Sequence, residues 1–140
     1  MSNYDYKKEI EEAIAAADNA LYYLNKANDA LSSAGNWGVM DLLGGGFISS
    51  LAKHSKMSDA QSELQMAKNA VLNFKRELVD VNEALNIDIE ISDFLTFADF
   101  FFDGLVADWL VQSKIRKAEK QVSDAISQIN AIRRKLMQYR

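Results

Sequence analysis

At 140 residues, with a formal net charge of -4 and a pI near 5.0, the chain is one domain in length and carries the wrong overall sign for a nucleic-acid binder. It has no cysteine, which excludes disulfides, thiolate metal sites and iron–sulfur clusters, and no proline, where average usage of about 5% would give roughly seven. With 49% hydrophobic and 26% charged residues and no helix-breaker, the composition predicts a soluble all-α protein, and the absence of cysteine suits the cytoplasm.

The first residues, Met1 to Glu9, hold no apolar stretch of the kind an export leader carries, so none is expected. A heptad-like spacing then begins, with Ile10, Ile14, Ala17, Leu21, Leu24, Asn28 and Leu31, and predicts a helix over 3–33. Asn28 falls in this seam, where a single polar residue would set register or oligomer state. Gly35 is placed to cap the helix end, and residues 34–46 are expected to form a junction with a short apolar turn from Trp37 to Leu43. Gly44-Gly45-Gly46 predicts a tight reversal; it lacks both the preceding strand and the G-x-x-x-x-G-K-[ST] spacing of a phosphate-binding loop.

A second helix is predicted over 47–85, with Ala60, Leu64, Ala67, Val71, Phe74, Leu78, Val81 and Leu85 as its seam. It carries the only histidine, His54, in Lys53-His54-Ser55-Lys56. One histidine excludes a multi-histidine metal centre and leaves a carboxylate-assisted one, with Asp41, Asp59 or Asp99 as partners. Neither HExxH nor the carboxylate spacing of di-iron bundles is present, so no metal and no cofactor is expected. Asp41, Lys53 and His54 form the one corner where a small ligand site or an acid–base pair is conceivable, although no nucleophile motif accompanies them. The stretch Trp37-Gly38-x-x-Asp41-x-x-Gly44-Gly45-Gly46, followed by Lys53-His54, resembles one in small, functionally uncharacterised bacterial helical-bundle proteins. The resemblance implies a bacterial cytoplasmic protein in which Trp37, Asp41, the glycines, Lys53 and His54 share one corner; it implies no activity. A second comparison, with secreted helical hairpins bearing a central W-x-G, fails because Trp37 and Gly38 are adjacent.

Residues 86–104 are predicted as a second junction: an extended connector from Asn86 to Ile91, then a short helix capped by Ser92 and reaching Asp103. Phe94, Phe97, Phe100, Phe101, Phe102 and Trp109 crowd this part of the chain, while Ser92, Thr96, Asp99 and Asp103 form a single polar stripe. Such a segment either plugs the end of the bundle or forms a protein–protein interface, with Trp37 and Phe47 adding to it. A membrane span over 94–111 is opposed by Asp99, Asp103 and Asp108. Peripheral membrane contact is disfavoured too, because the polar face is acidic.

A third helix is predicted over 105–139, with Val111, Ile115, Ala118, Val122, Ala125, Ile129, Ile132, Leu136 and Tyr139 as its seam. Residues 114–140 carry a net +6, leaving -10 on the rest of the chain. An offset of 58 lays this helix on the second, matching Ala60 with Ala118 and Leu78 with Leu136, a similarity that duplication or convergence would produce.

The expected fold is therefore a single helical domain over 1–140, an elongated antiparallel three-helix bundle with coiled-coil-like packing in up-down-up order. The expected function is non-catalytic: a helical interaction or self-association module, a homodimer or the binder of a helical partner, using its Phe-rich end. The competing class is a small enzyme or ligand-binding protein built on Asp41, Lys53 and His54.

Overall fold

The computed structural model describes the backbone of residues 3–44, 47–85, 91–101 and 112–140, and the side chains of residues 6–32, 60–83, 91–101 and 115–140. Four helices account for them: α1 (Asn3–Gly44), α2 (Phe47–Leu85), α3 (Ser92–Asp99) and α4 (Gln112–Tyr139), with no strand among the described residues. None of these helices is long and apolar enough to cross a membrane. The chain is all-helical and packs as a bundle, α1 lying against both α2 and α4 while α3 lies on α2.

The first helix runs on where the sequence predicts a stop. α1 continues through Gly35 and Gly38 to Gly44, so Gly35 is an interior residue and not a cap. A glycine costs about 1 kcal/mol inside a helix but, unlike proline, keeps its amide hydrogen, and without proline no backbone bond is lost.

The face α1 buries also differs from the predicted seam. Ile10, Ala17, Leu24 and Leu31 recur every seventh residue, and Ala13, Ala20 and Ala27 recur every seventh between them; all seven are buried. Ala27, not Asn28, fills that layer; Asn28 is only half-buried, and no polar side chain is buried among the described residues. Asn28 therefore has no buried polar role. Alanine is favoured because interaxial distance depends on the side chains at the contact, and a methyl group lets a neighbouring helix come close. Ile14 and Ala16 are buried beside this stripe, as a helix serving two neighbours requires.

In α2 and α4 the described seam positions are buried as predicted: Ala60, Leu64, Ala67, Val71, Phe74, Leu78 and Val81 in one, Ile115, Ala118, Val122, Ala125, Ile129, Ile132 and Leu136 in the other. Tyr139 is the exception and is exposed. At an offset of 58, six buried positions of α2, from Ala60 to Leu78, match six of α4, from Ala118 to Leu136.

Ion pairs fix the directions. Lys26 Nζ lies 3.9 Å from Glu63, while Glu9 and Glu12 sit against Glu77, so α2 runs antiparallel to α1. Arg133 Nε donates to Asp18 Oδ1 at 2.6 Å, and Arg140 lies 3.9 Å from Glu11, so α4 is also antiparallel to α1. It follows that α4 is parallel to α2, which corrects the up-down-up order. α3 intervenes in the chain between α2 and α4, so the two are not consecutive helices joined by a tight turn. This direction sets the basic C-terminal half of α4 alongside the acidic first half of α1.

Candidate functional site

α3 is the element the sequence singles out, and its apolar side is largely consumed within the chain. Ile91, Phe94, Ala98 and Phe101, spaced three, four and three residues apart, form one face and are all buried. Phe94 meets Phe74 of α2 with ring centroids 5.5 Å apart and planes tilted by 59°, and Phe97 meets Phe101 at 5.4 Å and 45°. Lys75 Nζ of α2 donates to Asp99 Oδ1, tying the polar side of α3 to the same helix.

Ser92, Thr96 and Asp99 are exposed along the predicted polar stripe. Two details are corrected. Ser92 is the first helical residue, the cap position falling on Ile91, and the helix ends at Asp99, short of Asp103. There the amides of Phe100 and Phe101 donate to the carbonyls of Phe97 and Ala98, three residues back, tightening the chain into a turn. Burial of Phe101 rewards that tighter turn.

The eight aromatic residues proposed for the interface thus have different fates. Phe94 and Phe101 are internal, Phe97 is half-buried, and Phe100 stands 66% exposed. Phe102 and Trp109 lie outside the described residues, as do the side chains of Trp37, Phe47, Asp41, Lys53 and His54. The Asp41, Lys53 and His54 corner therefore lies outside the described side chains, and among the described residues of the Phe-rich segment Phe94 and Phe101 face inward while Phe100 is the exposed ring.

Sequence spacing alone missed one group. Glu9 and Glu12 of α1 and Glu77 of α2 bring carboxylate oxygens within 4.8 Å of one another. The Glu77 carboxyl is held above the ordinary carboxylate range, first by burial and then by the charges of Glu12, Asp80 and Glu9, with Arg76 opposing them. The spacing of Glu9 and Glu12 puts them on one helical face, but their meeting with Glu77 depends on the register of two helices. Three carboxylates are hard oxygen ligands, yet calcium takes about six to eight such donors, and the described residues gather only these three.

Among the described residues no charged or polar side chain is buried, and no buried side-chain nitrogen or oxygen lacks a partner. The chemistry on view is that of a surface: charge, exposed aromatics and apolar contact. No family model matches the chain, and no curated protein or solved structure matches it either.

Proposed function

We infer that the chain is a non-catalytic helical interaction module that associates with a second copy of itself, or with a helical protein partner, in the cytoplasm of a bacterium. The observation that carries the reading is Phe100, a large aromatic ring left 66% exposed at the end of a helix whose other side is fully committed to α2. Phe94, Ala98 and Phe101 hold the backbone beneath it, so the ring is presented from a packed platform and needs little ordering on binding. Aromatic residues fixed in this way are typical anchors of protein interfaces. Long helices with heptad seams supply the coiled-coil-like rod that carries the anchor, and a two-fold dimer would pair the Phe100 surfaces of two copies.

The test is sedimentation of the full chain beside Phe100→Asp. The substitution is on the surface, so the melting curve should be unchanged while the dimer is lost. Equal masses for the two proteins, both monomeric or both dimeric, would overturn self-association through Phe100. Phe101→Asp is the wrong probe because Phe101 is buried and its replacement would unfold α3.

A further inference from the structure

α3 docks through apolar contact, and apolar contact alone does not choose among its rings. Burial is non-directional, and Phe100, Phe101 and Phe102 follow one another in the chain. Successive residues of a helical turn point about 100° apart, so a slip of one residue in the closing turn would exchange the buried ring for the exposed one. The backbone holds that turn by long bonds: the amides of Phe100 and Phe101 reach the carbonyls of Phe97 and Ala98 at 3.2 and 3.3 Å, at and beyond the upper end of the usual range.

One polar contact breaks the degeneracy. Lys75 Nζ of α2 donates to Asp99 Oδ1, on the residue immediately before Phe100. Neither charge has a partner at helical spacing within its own helix. The residues three and four away from Lys75 are Val71, Leu72, Leu78 and Val79, and α3 contains no base. Asp99 is moreover the last residue of α3, the end at which a helix dipole disfavours an acid. Helix propensity therefore does not account for an acid there, whereas the lysine on α2 does. The Lys75 side chain is only 28% exposed, so solvent screens the contact less than it screens a fully exposed pair.

We propose that Lys75 is a positioning residue for the Phe100 surface: by holding Asp99 it fixes the closing turn of α3 with Phe101 inward and Phe100 outward. The inference rests on the reading of Phe100 as an interface anchor and deepens it, but its primary readout does not require association.

The chain has no cysteine, so a thiol placed at the fully buried Ala98 reports opening of this turn through its rate of maleimide labelling. Lys75→Glu, which sets two acids against each other, should raise that rate about fivefold. Lys75→Glu combined with Asp99→Lys restores the contact with its signs exchanged and should bring the rate back. A thiol at Ala60, buried in the seam of α2, should label equally slowly in all three backgrounds, as an intact bundle requires. Hydrogen exchange of the Phe100 and Phe101 amides, followed by NMR without any introduced cysteine, should move by the same factors. Sedimentation then addresses the interface separately: association through Phe100 should weaken with Lys75→Glu and recover in the exchanged pair. If the rates behave as stated and no variant associates, the interface reading fails while the positioning role stands. Rates that Lys75→Glu leaves unmoved, rates that the exchanged pair does not restore, or a matching rise at position 60 would each overturn the proposal.

Discussion

Replacing Phe94 by alanine measures whether α3 is an integral part of the fold. Phe94 is 2% exposed and faces Phe74, with which it forms a tilted aromatic pair. Truncating a buried phenylalanine costs about 3–5 kcal/mol, combining lost burial with the cavity left behind. α3 packs on one helix and can settle partway into the gap, which places the expectation near the lower figure, about 3 kcal/mol. Against a total stability of roughly 5–15 kcal/mol that is a large share. The assay is urea unfolding followed by circular dichroism. With a slope of about 2 kcal/mol per molar, the midpoint should fall by about 1.5 M. Phe100→Ala, six residues along the same segment, should move it hardly at all, because that ring is already in solvent. A double-mutant cycle with Phe74→Ala should return a coupling of about 0.5–1.5 kcal/mol for the ring pair. If Phe94→Ala and Phe100→Ala shift the midpoint equally, α3 is not docked as described.

Two further expectations concern α1 and its contact with α2. The raised carboxyl of Glu77 binds its proton more tightly in the folded than in the unfolded chain, so its contribution favours folding most at acid pH and is lost as pH climbs above the ordinary carboxylate range towards neutrality. Urea midpoints across that window should show this trend for wild type, and Glu77→Gln should flatten it and raise the midpoint at neutral pH; an unchanged slope would remove the repulsion argument. Ala20→Leu, which forces a larger side chain into a fully buried alanine layer, should destabilise by about 1–3 kcal/mol by the same assay, whereas a neutral result would mean that α1 does not approach its neighbours closely there.

The seams of α2 and α4 were readable because they are dictated locally. Leu64, Val71 and Leu78, or Val122, Ile129 and Leu136, are large apolar residues at helical spacing among charged ones, and only one face collects them all. In α1 the spacing places Ile10, Ile14, Ala17, Leu24 and Leu31 correctly but misses Ala13, Ala20 and Ala27, which are buried while Leu21 and Asn28 are only half-buried. A methyl side chain is a weak hydrophobic signal in a sequence, although a close helix contact selects it. Gly35 likewise looked like a stop because isolated helices favour ending at glycine, a preference too weak to decide the matter in a packed bundle.

By itself, then, the amino-acid order determined that the chain is helical, which faces of α2 and α4 turn inward, and that α3 has one polar stripe; each follows from periodicity within a single turn or two of helix. Only the packed structure decided that α4 runs parallel to α2, that Glu77 joins Glu9 and Glu12, and that Phe94 and Phe101 are buried while Phe100 is left out. Those outcomes rest on contacts between residues far apart in the chain, whose register is set when side-chain volumes and charges from several helices must be accommodated at once.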